Sequence, residues 1–143
     1  MFAPPMSQNL LGFLFNMRNK EESKIHMAIC DYLRLQYPSV IFTSEAGGIY
    51  TTMNQARLIK RTRSCVGIPD LLIFEPRAEF CGLFLEIKIE GTTLYKKNGD
   101  FTKNEHLNNQ REVMQKLINK GYACYFVLGF ENAKQILDNY MAL

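Results

Sequence analysis

Along residues 20–36, KEESKIHMAICDYLRLQ, apolar side chains fall at Ile25, Ala28, Ile29, Tyr32 and Leu33, the spacing of one helical face. Asn19 and Glu22 stand as a capping box for this helix, and Pro38 lies just past its end. VIFTS at 40–44 reads as a strand ended by EAGG, and residues 52–61 as a short helix ending in basic residues. The runs 70–74 and 83–89 read as two strands spaced for a hairpin. GTTLYKKNGDFTKN at 91–104 is a polar loop with a turn at Asn98-Gly99. Thr102 and Glu105 offer a second capping box, before a helix with Leu107, Met114, Leu117 and Ile118 on one face and Gly121 as its stop. YACYFVL is a further strand, and ENAKQILDNYMAL closes the chain as an amphipathic helix.

The order α-β-α-β-β-α-β-α specifies an α/β fold, a mixed β-sheet flanked by helices. The hairpin gives antiparallel neighbours and the helical crossover a parallel one. Residues 20–143 form one domain and residues 1–19 an N-terminal tail. The tail's LLGFLF run (10–15) is too short to span a bilayer, and it lacks the basic flank and small-residue cleavage site of a signal peptide. So apolar a run packs on the domain or on a second subunit.

Composition narrows the picture only slightly. The 143 residues are 47% hydrophobic and 22% charged, as in ordinary globular chains. A net charge of +3 permits a polyanionic partner without demanding one. The four cysteines are scattered, with no C-x-x-C pair, and Cys30, Cys81 and Cys124 sit in or beside apolar runs as small hydrophobes would. A reducing, cytosolic setting follows. Two histidines, His26 and His106, without a suitable cysteine pattern argue against a zinc-dependent or triad-type hydrolase.

The chemistry lies in charges that interrupt apolar strands. In the run 83–89, Leu83, Leu85, Ile87 and Ile89 face one way and read as core, whereas Phe84, Glu86 and Lys88 face the other. With the hairpin loop centred near Ala78 and Glu79, Asp70 falls opposite the 86–88 region. Burying such charges unpaired costs several kcal/mol each. Two carboxylates with nearby carbonyls suit a hard cation such as Mg²⁺, which removes their mutual repulsion. Lys88 is then placed to hold or deprotonate a water, or to stabilise charge on a phosphate, as in a phosphodiesterase.

Other residues fit the same site. Glu22 lies at the edge of the first helix's buried face, either as a further metal ligand or as the capping-box acid. Gln110 is an amide on the apolar stripe between Leu107 and Met114. Glu45 follows a strand end and precedes Gly47-Gly48, where a backbone can approach a ligand. Arg57, Lys60, Arg61 and Arg63 lie just upstream of GIPD, where a nucleic-acid backbone would run. Each feature alone has an ordinary structural role: a turn aspartate, a cross-strand ion pair, a solvated helix end. Taken together they describe a site.

Those residues resemble the PD-(D/E)xK nucleases, with Pro69-Asp70 and Glu86-Ile87-Lys88 as the signature. More narrowly, the chain resembles the VRR-NUC family in its small stand-alone form of phages and bacteria. The likeness runs from about Glu21 to the C-terminus through EESKIH, FTSEAGG, GIPDLLIF, GLFLEIK, Gln110 and GYACYFVLGFENA. It implies a restriction-endonuclease-like core and a Mg²⁺- or Mn²⁺-dependent DNA endonuclease. It further implies metal ligation by Asp70, Glu86 and the Ile87 backbone carbonyl, with Glu22 as the helix-borne acid. Lys88 would be the catalytic lysine and Gln110 an additional site residue. Small members resemble Holliday-junction resolvases and are homodimeric, which would give LLGFLF a place to bury. The 91–104 loop is longer than in compact members, and of the adjacent Glu21 and Glu22, helical phase favours Glu22.

The expectation is therefore a cytoplasmic endonuclease, in a bacterial or phage-infected cell, acting on branched or structured DNA. The 57–63 segment and Lys96-Lys97 would track the DNA backbone. Three alternatives stay open: a sequence-specific restriction-type nuclease, a non-cleaving DNA-binding module, and a small α/β protein with structural ion pairs.

Overall fold

The computed structural model describes residues 8–45 and 52–143, with side chains from residue 16 onward. Its elements are α1 (Gln8–Gln36), β1 (Phe42–Ser44), α2 (Met53–Arg61), β2 (Leu71–Ile73), β3 (Leu83–Lys88), α3 (Glu105–Ile118), β4 (Ala123–Leu128) and α4 (Gly129–Met141). Both the order and the mixed sheet agree with the sequence pattern. The side chains of the 10–15 run and the Gly47-Gly48 pair lie outside the described residues.

Two helix starts differ from expectation. α1 passes through Asn19 without a break, because the chain from Gln8 to Lys20 contains no proline to interrupt it. No capping box forms at Asn19, whose carbonyl accepts the Ser23 hydroxyl at 2.9 Å inside the helix. Glu22 is thereby released from a capping role. At α3 the cap is Asn104 rather than Thr102: Asn104 Oδ1 accepts the Leu107 N–H at 3.0 Å. Gly121 ends α3 as expected, its N–H on the Ile118 carbonyl and that of Tyr122 on the Leu117 carbonyl.

The sheet order is β1-β2-β3-β4, antiparallel at the first two contacts and parallel at the third. β3 is central and buried along its whole length. One core joins Leu83, Leu85 and Ile87 to Ile29 and Leu33 of α1 and to Ala133 and Leu137 of α4. On the opposite face Phe84 packs with Met114 of α3 and Cys124 of β4. α1 and α4 are also tied through Asp138. Its Oδ1 accepts the hydroxyls of Tyr32 (2.6 Å) and Tyr37 (2.8 Å), and its Oδ2 accepts Lys134 Nζ at 2.9 Å.

The β2–β3 hairpin carries an irregularity that decides what faces what. Arg77 pairs with Phe80 around Ala78 and Glu79, with Ala78 at φ 47°. Extended without interruption, that turn would set Asp70 against Ile87. Instead Phe74, Glu75 and Pro76 on one side span the same stretch as Cys81 and Gly82 on the other. The ladder resumes one residue displaced, with Leu71 opposite Leu85. Asp70 thereby aligns with Glu86. Gly82 fits the tight side of this bulge, since a Cβ there would lie 2.7 Å from the Ile73 carbonyl oxygen.

Cys30 and Cys124 are buried, and burial pushes the Cys124 thiol up to about 12. Cys81, expected inside, is exposed because it flanks the bulge. α2 is capped reciprocally by Thr52 and Gln55 but buries no residue. Among the described residues no helix is long and apolar enough to cross a membrane.

Candidate active site

The site forms where the last residues of β3 meet the residue that opens β2. Asp70 Oδ2 accepts the Ile87 N–H at 2.8 Å, so the carboxylate takes the place of a ladder carbonyl beyond the end of the β2–β3 pairing. Glu86 points to the α3 face of the sheet with only 2% of its side chain exposed. Its Oε1 accepts two donors, Lys88 Nζ at 2.8 Å and Gln110 Nε2 at 2.5 Å. When Glu86 is ionised its Oε2 is buried with no donor, as Gln110 Oε1 is; protonated, the carboxyl can donate to Asp70. Two such atoms side by side call for an occupant, an ion or ordered water, between Glu86 and Gln110.

Electrostatics agree with the geometry. Burial, reinforced by the Asp70 charge and opposed by Lys88, raises the Glu86 pKa to about 8. The nearby ammonium therefore does not fully offset the desolvation of this carboxyl. Glu22 of α1 reaches the site with Oε1 3.8 Å from Lys88 Nζ, and its pKa is raised by burial against the pull of Lys88. Glu21 is exposed, so the helix presents Glu22 to the site, as its phase predicts.

Gly67 sets the approach to Asp70. At φ 86°, a conformation that disfavours side chains, it lies against α3; a Cβ there would sit 3.3 Å from the Asn109 carbonyl oxygen and 3.4 Å from Gln110 Cα. Pro69 is fully buried. The GIPD segment is thus seated on the same turn of α3 that supplies Gln110.

Glu45 stands beside Asp70 through its backbone, its N–H on the Asp70 carbonyl at 2.8 Å, while its carboxylate pairs with Arg63 at 2.5 Å. Arg63 is therefore engaged within the fold. Arg57, Lys60 and Arg61 lie exposed on α2, Lys97 is exposed, and Lys96 is half-buried. Sequence reasoning did not foresee His26 and Ser44, whose Nε2 and Oγ lie 2.8 Å apart. The signal was present, since His26 follows Glu22 by one helical turn. Burial lowers its pKa, with the Asp70 charge acting the other way.

Would a divalent cation fit these residues? Among the described residues no group of three or more His, Cys, Asp and Glu side chains is gathered closely enough to hold one. The donors that do converge are the Asp70 and Glu86 carboxylates, with the unpartnered Glu86 Oε2 between fixed neighbours. That set suits Mg²⁺, which takes one or two carboxylates and keeps several waters, better than a metal needing a closed protein cage.

No family model and no curated protein matches the sequence. A solved structure described as a VRR_NUC domain protein matches with a TM-score of 0.60 at 21% identity, over 86% of this chain and 89% of its own. At that identity the likeness establishes a shared fold.

Proposed function

We propose that this chain is a Mg²⁺- or Mn²⁺-dependent DNA endonuclease of the VRR-NUC type, acting on branched or structured DNA as a resolvase does. The observation that carries the reading is the convergence of the buried Glu86 Oε2 with Asp70, where no donor serves the ionised pair although Lys88 and Gln110 both donate to the other Glu86 oxygen. A purely structural ion pair would have no use for the second carboxylate or for the unpartnered oxygen.

Asp70, Glu86 and the Ile87 carbonyl would hold the cation, with Glu22 as the acid on α1. Bound there, it would supply an acidified water and counter-charge for a phosphoryl oxygen. Gln110 holds Glu86 Oε1, so the orientation of that carboxylate does not depend on the metal. Lys88 Nζ, between Glu86 and Glu22, orients the attacking water and balances charge as the phosphate becomes pentacovalent. Exposed Arg57, Lys60 and Arg61 and the Lys96-Lys97 tip track the DNA backbone. A homodimer joined through the N-terminal apolar run, in the cytoplasm of a bacterial or phage-infected cell, completes the proposal.

The test is incubation with four-way junction, flap, single-stranded and linear duplex DNA, in Mg²⁺, Mn²⁺ or EDTA, beside Asp70→Asn and Lys88→Ala. The expected result is metal-dependent cutting of the junction, lost in both variants. A folded wild-type protein that cuts none of these substrates overturns the reading.

A further inference from the structure

The segment after Lys88 is an ordered ribbon. Tyr95 and Phe101 form an antiparallel bridge, flanked by hydrogen bonds from Lys96 N to Asp100 O (2.7 Å) and from Thr102 N to Leu94 O (2.8 Å). Phe101 anchors it: the ring packs on Phe126 of β4 at 5.9 Å, and the Arg111 guanidinium lies 4.9 Å from its centroid. Tyr95 stands edge-on to Phe101 at 5.5 Å, yet remains 61% exposed. What sets Tyr95 apart is its support: the exposed ring is braced edge-on by Phe101, which is itself fixed to Phe126 and Arg111.

The ribbon's position is fixed by the elements that build the site. Thr92, at its root, accepts Arg18 Nη2 of α1 at 3.4 Å, one helical turn before Glu22. Asn108 of α3 donates to the Thr102 carbonyl at 3.1 Å, and Arg111 follows Gln110 directly. Thus α1 supplies Glu22 and the Arg18 attachment, and α3 supplies Gln110 and two attachments, Asn108 and Arg111, while β3 leads directly into the ribbon. Lys96 and Lys97 follow Tyr95 in sequence, and Lys103 lies near the return.

Resting on the nuclease reading above, we propose that Tyr95 is a stacking platform for an unpaired base at the rim of the site, with the neighbouring lysines on the flanking phosphates. A flat ring next to cations is the arrangement that binds single-stranded nucleic acid without reading sequence, because every base offers a π-face. A base inside a continuous duplex cannot use it. The ligand is therefore a DNA strand with unstacked nucleotides, such as a flap, a gap or a junction arm that has opened.

The test measures binding in EDTA, so its outcome does not depend on cleavage. The probes are a short single-stranded oligodeoxynucleotide carrying one fluorescent base analogue and a blunt duplex of the same sequence. Tyr95→Ala and Tyr95→Leu are expected to weaken single-strand binding roughly 5- to 150-fold and to abolish quenching of the analogue, with Tyr95→Phe close to wild type. Duplex binding should change little in all three. Leu keeps the apolar contact with Phe101 but has no flat face, so Leu binding as tightly as Phe overturns the proposal. Equal losses for single strand and duplex overturn it too. The predicted pattern in a protein that cuts nothing would leave the platform standing and remove only the nuclease reading.

Discussion

Replacing Glu86 with Gln is expected to alter how stability depends on pH. The folded carboxyl titrates near 8, against an ordinary 4.5. Between these values the folded protein keeps a proton that the unfolded chain has released. The stability tied to Glu86 is therefore fully present below about pH 4.5 and is lost as the pH rises through 8. At about 1.4 kcal/mol per pH unit, the whole window is worth at most about 5 kcal/mol, a large share of the stability of a domain this size. The corresponding shift in Tm is about 10–20 °C. The charged groups facing Glu86 are Asp70, just before β2, and Lys88 of β3, with Gln110 donating from α3. Glu22, also raised by burial, contributes in the same direction. His26 contributes oppositely, because a histidine made harder to protonate favours folding as the pH rises. Both remain in the variant, so the difference between the two Tm–pH curves isolates Glu86. Circular-dichroism melts in EDTA from pH 5 to 8.5 should show wild type losing stability relative to Glu86→Gln. Mn²⁺ at pH 8 should restore wild type and leave the variant nearly unchanged. Parallel curves in EDTA would refute the reasoning, for they would mean that Lys88 keeps Glu86 ionised throughout.

Two further predictions concern the scaffold. Gly82→Ala places a methyl 2.7 Å from the Ile73 carbonyl oxygen, so the bulge must shift; the expected cost is about 1–3 kcal/mol, read as a lower midpoint in urea unfolding with an unchanged slope. Asp138 is held down to about 2 by the hydroxyl of Tyr32 first, then by Lys134 and Tyr37. Its contribution is present above its ordinary 3.8 and is lost as the pH falls toward 2, so Asp138→Asn should flatten the acid limb of the stability curve, and an unchanged limb would count against it.

Periodicity carried the fold, because strands with one strongly apolar face and helices with 3.6-residue spacing have few other arrangements. It placed Glu86 and Lys88 on one face, while the position of the hairpin loop set Asp70 opposite the 86–88 region, where its carboxylate accepts the Ile87 N–H. Capping was less legible. Asn19 and Thr102 both have good capping chemistry, but a helix already running through Asn19 leaves no free N–H groups to cap, and Asn104 competes successfully with Thr102. Side-chain contacts to the ribbon left no trace in the pattern, whether distant in sequence (Arg18 to Thr92) or near (Asn108 to Thr102). Nothing in the neighbourhood of Thr92, Phe101 or Asn108 announces that Arg18, Arg111 and the Thr102 carbonyl will meet them. The bulge was equally hidden, since its effect depends on counting residues on both sides of a turn whose type is unknown beforehand.

That bulge makes the chain's tolerance of length changes uneven. Side chains alternate between sheet faces, so one residue added or removed between Phe74 and Gly82 would turn Asp70 toward the opposite face and separate it from Glu86. The ribbon has no such constraint at its tip, where Asn98-Gly99 closes on its own arms through Gly99 N–H to the Lys96 carbonyl and Asn98 Nδ2 to Asp100. Insertions there would lengthen the reach of the ribbon while Asp70, Glu86 and Lys88 stay in place. The hairpin turn measures out the site, and the ribbon tip is where this scaffold can change length.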